Sequence, residues 1–371
     1  MNAVIRSTGL WHPEETVSND ELVECFNAYV EKHNAENADA IERGVVEPLN
    51  ASSTAFIEKA SGIKSRYTVD KAGVLDVERM RPRVAPRPNE EISLMAEAGL
   101  AAAKQALDNA GRDPKDVDAV ICSATSMQRT YPCIAIEIQQ ALGIEGFGYD
   151  MSVACSSGTF GMISAINMIK TGMAKSVLVV TPEITTPQLN FRDRDSHFIF
   201  GDVAVAALIE AEDVAGDEGW NILSTRMVTQ YSNNIRSNFG FLNASEDPEP
   251  VFEERYFVQE GRKVFKEVCP MVIELILTEL GKMKLSPADM KRMWLHQANI
   301  NMNMMIAKKV YDRDFEPHEA PVVLDEFANI AGAGSLVAFH RHHDGFEAGD
   351  KGLICSFGAG YSAGTIFLEK R

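Results

Sequence analysis

The sequence predicts an α/β protein built from two related halves. Three observations predict it: helical and β-rich segments alternate, two sequence landmarks recur in order, and 371 residues exceed one small module. The first helix of the alternation is the Ala-rich run Ala96–Ala110, stopped by Gly111. Val117–Ser123 reads as a buried strand, and Pro132–Leu142 as a helix ending at Gly143. Gly158–Thr171 is helical, with Phe160, Ile163, Ile166 and Ile169 on one face and a stop at Gly172. Ser176–Thr181 is then a β-branched strand, and the alternation argues mainly parallel central strands. Residues 20–90 and 230–261 read as polar, irregular excursions over the surface. Within the first, Pro82, Pro86 and Pro88 break any long helix, and Arg79, Arg81, Arg83 and Arg87 read as a solvated face.

The repeat aligns Gly111–Ala124 with Lys284–Gln297, pairing Pro114 with Pro287 and Asp116 with Asp289. Phe200–Glu210 aligns likewise with Phe357–Glu369. The spacing between landmarks is longer in the first copy. Two halves follow, 1–212 and 213–371.

Composition narrows function. Thirty-six basic against 53 acidic residues leave a net charge of −17, which argues against nucleic acid or an anionic membrane as partner. No apolar run approaches the roughly 18–20 residues that span a bilayer. The start, Met1-Asn-Ala-Val-Ile-Arg6, lacks the pattern of a secretory signal, so a cytoplasmic location is expected. Six cysteines (Cys25, Cys122, Cys133, Cys155, Cys269, Cys355) are scattered without a CxxC pair, as expected of reduced thiols.

One cysteine stands apart. In Tyr149-Asp-Met-Ser-Val-Ala-Cys155-Ser-Ser-Gly-Thr159 a strand runs through small residues straight into a helix. A cysteine at a helix start meets unsatisfied N–H groups and the positive end of the macrodipole, which favour a thiolate. Inert packing remains the commoner fate of a lone cysteine. Leu295-His296-Gln-Ala-Asn299 sets a histidine at a strand end ahead of a helix over 300–310. Phe327-Ala-Asn329 sets an asparagine before a small-residue helix start. Cysteine, histidine and asparagine at strand ends can converge above one sheet. Ser356-Phe-Gly-Ala-Gly-Tyr361 adds a Gly-rich turn whose N–H groups suit half of an oxyanion hole.

These motifs, with Phe200-Gly-Asp-Val-Ala204, resemble those of the thiolase-fold condensing enzymes, most closely β-ketoacyl-acyl-carrier-protein synthase III. The resemblance runs from Ala3 to Glu369 and is weakest over 20–90. It implies a five-layered αβαβα fold and a cytoplasmic homodimer. It further implies decarboxylative Claisen condensation of an acyl-CoA primer, short to medium in chain length, with malonyl-acyl-carrier protein in fatty-acid synthesis. In the implied mechanism Cys155 carries the acyl group, and His296 and Asn329 hydrogen-bond the malonyl thioester oxygen. The N–H groups of Cys155 and Ala359 form the oxyanion hole. No metal or redox cofactor is implied; acyl-CoA is a substrate.

Other positions follow the family unevenly. Arg194 matches the arginine that stacks on adenine, and Phe56 stands where the partnering tryptophan would be. A nearby arginine is replaced by Ala60, and the pantetheine-contacting asparagine by Arg262. Tyr131 falls where members reach across a dimer to cap the partner's acyl pocket, with Cys133 beside it. Lys266 and Lys308, next to Lys309, match docking residues for the acidic carrier, but the usual arginine after the His-Gln-Ala-Asn motif is Asn301. A secondary-metabolism condensing or acyl-transfer enzyme, a cysteine-dependent thioester hydrolase and a non-enzymatic scaffold stay open as alternatives. His340-Arg-His342-His343 looks like a metal cluster but reads better as a surface helix end.

Overall fold

The computed structural model describes residues 2–247 and 252–371. Nine strands make the main sheet: β1 (Ala3–Trp11), β2 (Ala119–Ser123), β3 (Phe147–Met151), β4 (Ser176–Glu183), β5 (Val203–Ala211), β6 (Trp220–Ser232), β7 (Met290–Leu295), β8 (Lys351–Gly358) and β9 (Gly360–Lys370). Their order is β7-β8-β9-β6-β1-β5-β4-β2-β3. Each half repeats one plan. From β1 outward, β5 and β4 are antiparallel neighbours and β2 is parallel to β4; from β6 outward, β9, β8 and β7 follow the same directions. The half-sheets meet at a short seam where Val4 and Ile5 pair with Asn221 and Trp220.

Helices build the remaining layers. On one outer face α2 (Leu94–Ala110) and α3 (Ile134–Leu142) pack on β1, β5, β4 and β2. Their alanine-rich faces make a core with Val120, Val180 and Leu208. Between the half-sheets lie α4 (Ser157–Thr171) and α7 (Gly334–Arg341). They share a core with Ile121, Val179, Ile354 and Trp294. On the other outer face α5 (Gly261–Met283) and α6 (Ile300–Tyr311) cover β8 and β9 through Val268, Val272 and Ile306. The result is αβαβα, the layered architecture expected above.

The expected helices and strands are present, shifted by a residue or two at some ends. Gly111, Gly143 and Gly172 are left-handed C-caps of α2, α3 and α4. The reading of 20–90 as irregular surface needs correction. It holds the 18-residue helix α1 (Asn19–Glu36) and a short helix, Thr54–Ser61. Leu22, Cys25, Phe26 and Val30 recur at helical spacing on α1 and bury against Ile57, Val74, Phe191 and Phe200. Ser18 and Glu21 close a reciprocal capping box at its start. The segment is thus a fourth core, packed beside the Phe200 motif. In 230–261 the chain is largely irregular, apart from the end of β6, a ribbon pairing Ile235–Arg236 with Val258–Gln259, and two short 3-10 helices, Phe241–Ser245 and Phe252–Arg255; residues 248–251 lie outside the described residues.

Candidate active site

The strand ends of both halves open toward one cavity of about 220 Å³. Cys155, His296, Asn329, Phe357 and Gly358 line it together with Ile199, Phe257 and Ala298. The three residues singled out in the sequence are therefore brought together, from positions up to 174 residues apart in the chain.

Cys155 occupies the turn between β3 and α4, two residues ahead of the helix. The turn is tight: Ala154 has φ 45°, in the left-handed region that costs a residue with a Cβ about 1–3 kcal/mol. Ser157 holds it by accepting the Val153 N–H at 2.8 Å. The Gly358 backbone presses on the other side, where an added Cβ would lie 2.5 Å from Cys155 Cβ and 3.0 Å from its Sγ. The N–H groups of Ala359 and of Cys155 itself lower the thiol's pKa, but burial and the Glu183 carboxylate outweigh them and push it up to about 12. The pull toward a thiolate expected at a helix start is outweighed here by burial. Being close to a helix N-terminus gives less than desolvation takes away.

His296 follows directly on β7, its N–H bonded to the Cys355 carbonyl at 2.8 Å. Phe357 meets its ring edge-on at 5.3 Å. Burial pushes its pKa down to about 3, so the ring is neutral. Its Nδ1 is buried with no hydrogen-bond partner among the described residues. The rest of the motif is structural. Gln297, fully buried, donates to the Leu295 carbonyl and accepts the Val323 N–H, tying the strand end to the asparagine loop. Asn299 caps α6 and donates to the Ala60 carbonyl.

Asn329 sits between two strained neighbours, Ala328 at φ 59° and Ala331 at φ 45°. Its backbone bridges to Phe200, donating to Ile199 and accepting from Gly201. Its Oδ1 accepts the Ala331 N–H at 2.9 Å, which fixes the amide orientation and leaves Nδ2 as the donor facing the cavity. A hydrolytic triad needs the asparagine to orient the histidine. Asn329 does not do so: its acceptor is taken by its own loop, and His296 Nδ1 has no partner among the described residues.

The remaining expected residues divide. Arg194 stacks over Phe56, its guanidinium 4.2 Å from the ring centroid, near the cavity mouth formed by Ala60, Ser61 and Asp195. Arg262 is exposed in the first turn of α5, next to Gly261, which lines the cavity. Tyr131 is 82 % exposed and Cys133 is half-buried before α3; neither lines the Cys155 cavity of its own chain. Lys266 is exposed, and Lys308 is exposed but paired with Asp314 at 2.8 Å. Cys25, Cys122, Cys269 and Cys355 are buried thiols with pKa values raised by desolvation, as expected of packing cysteines. His340 contacts the Thr8 hydroxyl at the end of α7, and no metal-like cluster occurs among the described residues.

Two buried acids escaped the sequence reading. Asp202, in the Phe-Gly-Asp motif, accepts N–H bonds from Val69, Thr185 and Thr186, and burial raises it to about 6. Glu183, at the end of β4, is buried beside the cysteine turn and is raised to about 8.

Comparison with known proteins locates this arrangement. Sequence profiles described as 3-oxoacyl-[acyl-carrier-protein] synthase III and its C-terminal domain match residues 149–230 and 280–370. The chain is 53% identical over 349 residues to the β-ketodecanoyl-[acyl-carrier-protein] synthase of Pseudomonas aeruginosa, covering 94% of this chain and 100% of that one. It is 27% identical to the β-ketoacyl-[acyl-carrier-protein] synthase III of Granulibacter bethesdensis, over 99% of both chains. Among solved structures, 3-oxoacyl-[acyl-carrier-protein] synthase III of Aquifex aeolicus superposes with a TM-score of 0.77 at 22% identity, covering 99% of both chains. At that identity the likeness is one of fold.

Proposed function

The chain belongs to the 3-oxoacyl-[acyl-carrier-protein] synthase III family, condensing acyltransferases of fatty-acid synthesis, and we propose that it joins a medium-chain acyl-CoA primer to malonyl-acyl-carrier protein through an acyl-Cys155 intermediate. The observation that carries this reading is the convergence of Cys155, a neutral His296 and the outward Nδ2 of Asn329 on one cavity. Chain length is inferred from the 53% identical relative, whose name specifies a ten-carbon β-ketoacyl product. Condensation adds two carbons, so that product needs an eight-carbon primer.

In the first half-reaction the Cys155 sulfur attacks the primer's carbonyl carbon, the carbon–sulfur bond to CoA breaks, and the thiol proton leaves with CoA as its free thiol. Because the buried thiol is protonated at rest and the imidazole neutral, the proton departs as the new bond forms. The N–H groups of Cys155 and Ala359 stabilise the transient oxyanion. In the second half-reaction malonyl thioester loses carbon dioxide, and its electron pair becomes an enolate. His296 and Asn329 Nδ2 donate to the enolate oxygen; neutral donors suit charge that appears only in the transition state. The enolate carbon then attacks acyl-Cys155, and the cysteine sulfur leaves and regains a proton.

Substrate delivery follows from the cavity mouth. The Arg194–Phe56 stack is closed at rest and would part by about one ring thickness to take a flat base between guanidinium and ring. Arg262 adds charge for the phosphates. Lys266 and Lys308 serve the acidic carrier, which must compete with Asp314 for Lys308. We also infer a homodimer: β3 is a sheet edge flanked by exposed Tyr131, Ile136 and Phe147, and unpaired edges with apolar surroundings are commonly covered. Substrates of this kind are consistent with a cytoplasmic enzyme.

Product mass tests the reading. Octanoyl-CoA with malonyl-acyl-carrier protein should give a β-ketoacyl thioester two carbons longer than the primer, whereas a free fatty acid as the sole product would indicate hydrolysis. Replacing either His296 or Asn329 by Ala should lower condensation about 100-fold or more while sparing acylation of Cys155. Full condensation by the Asn329 variant would remove its assigned role.

A further inference from the structure

Glu183 is 1 % exposed, and among the described residues no lysine, arginine or histidine pairs with it. Its Oε1 alone accepts three donors: the Thr125 N–H and hydroxyl, both at 2.9 Å, and the Gly332 N–H at 3.0 Å. Those donors come from opposite halves of the chain. Thr125 follows β2, and its carbonyl in turn accepts from Ser152 in the loop leading to Cys155. Gly332 lies three residues beyond Asn329, one residue past the Ala331 N–H that orients the asparagine amide.

The Gly332 backbone is confined on both sides. An added Cβ there would lie 2.7 Å from Glu183 Oε1 and 3.3 Å from the Ala154 carbonyl. From the other direction, a Cβ on Gly158 would come within 2.4 Å of the Gly332 carbonyl. The asparagine loop is therefore wedged between the start of the cysteine helix and a single carboxylate oxygen. Two residues of this loop, Ala328 and Ala331, hold positive φ, a conformation that persists only when surrounding bonds impose it.

We propose that Glu183 is a positioning residue for condensation: its Oε1 clamps the Gly332 amide, keeps Asn329 Nδ2 aimed into the cavity, and through Thr125 fixes that donor's distance from Cys155. The inference rests on the reading of Asn329 as an enolate donor. Glu183 touches no substrate in this scheme and acts through the asparagine loop. A neutral acceptor of the same shape does the same work, because what the clamp supplies is an oxygen lone pair at one place. The titratable groups facing Glu183 are the thiols of Cys155 and Cys122, each raised further when Glu183 ionises. Its ionisation therefore reports on Cys155 as well.

A double-mutant cycle on the full-length enzyme tests this, reading two quantities: Cys155 acylation by mass spectrometry and formation of β-ketoacyl product. Glu183→Leu should lower condensation at least about 20-fold while changing acylation less than about 3-fold. Glu183→Gln, which keeps the acceptor, should restore condensation to within about 3-fold of the parent. In an Asn329→Ala background, Glu183→Leu should add less than about 3-fold, because its effect passes through the missing amide. If Glu183→Leu does not fold, Gly332→Ala, whose Cβ displaces the same oxygen, takes its place in the cycle. Multiplicative losses in the double variant, or acylation falling in step with condensation, would overturn the proposal. The two claims separate cleanly. If Asn329→Ala alone leaves condensation intact, the functional reading of the asparagine fails; if it cripples condensation and Glu183→Leu does not, only the clamp fails.

Discussion

Gly358 has no room for a side chain, because the space a Cβ would occupy is already held by Cys155. Gly358→Ala should therefore push the nucleophile out of register with the Ala359 N–H and lower Cys155 acylation about 100-fold or more, with thermal unfolding little changed. Equal acylation rates in the two proteins would show that the turn is softer than its contacts imply. At the mouth, the proposed CoA grip predicts that Arg194→Ala raises KM for acyl-CoA about 10-fold and leaves kcat within about 2-fold, because in that proposal the guanidinium holds a part of the substrate that does not react. A steady-state titration of acyl-CoA decides it. Cys155, His296 and Asn329 were legible in the sequence because each lies in a short family motif; that Asn329 follows a helix, Leu324–Phe327, and not a strand was not legible. Nor was the state of the thiol. Helix position can be read from the chain, but the burial of Cys155 against Gly358 and beside Glu183 arises only in the fold. Glu183 itself carries no local signal, since its partner Gly332 lies 149 residues away.

At the scale of elements, the contrast between α2 and α1 is instructive. The alanine-rich run of α2 with its terminal glycine announces a helix, and the structure has one. Helix α1 is more polar, so its segment reads as loop by composition, yet Ser18-Asn-Asp-Glu21 is a helix-start signature and Leu22, Phe26 and Val30 follow at helical spacing. The signal was present and outweighed by polarity on the other face. Ser18→Ala removes the side-chain arm of the capping box, leaves the backbone N–H at position 18 bonded to Glu21, and should cost about 1 kcal/mol of stability, measured by denaturant unfolding, without loss of acylation. A larger loss of activity than of stability would mean that α1 shapes the site beyond supporting the Phe200 segment. The arginine-proline loop over 79–88 departs in part from the solvated face its composition suggests: Arg83 pairs with Asp76, Arg87 with Glu97, and half-buried Arg79 donates to the carbonyls of Arg81 and Pro82.

The whole molecule repeats one strand plan twice, and the repeat in sequence pointed to it. Both motifs of the repeat fall at corresponding places: Pro114 and Pro287 open one-turn helices before β2 and β7. The half-sheets then face each other across α4 and α7, which is why residues from both copies reach one cavity. Burial of unpaired titratable groups also sets a pH dependence. His197, His296 and His340 are lowered by burial to between about 3 and 4, so the unfolded chain binds their protons more tightly and stability rises with pH toward the ordinary histidine range. Glu183 is raised to about 8, so its contribution is full below its unfolded value near 4.5 and is lost as pH climbs through 8. Stability should peak somewhat below neutrality and decline by under about 1 kcal/mol per pH unit toward pH 8.5. Glu183→Gln should abolish that decline, and an unchanged alkaline limb in the variant would assign it to another group. The net charge of −17 gains a specific meaning at this scale under the proposed function, in which an acidic enzyme receives the acidic carrier that the family resemblance implies.

The most direct test of the central claim is the intact mass of the protein after exposure to a ladder of acyl-CoAs from two to twelve carbons. One acyl group should add per chain, most completely with the eight-carbon thioester, and proteolytic mapping should place it on Cys155. Cys155→Ser should form no thioester adduct. A chain that gains no mass with any acyl-CoA, or gains it equally after Cys155→Ser, would contradict the account.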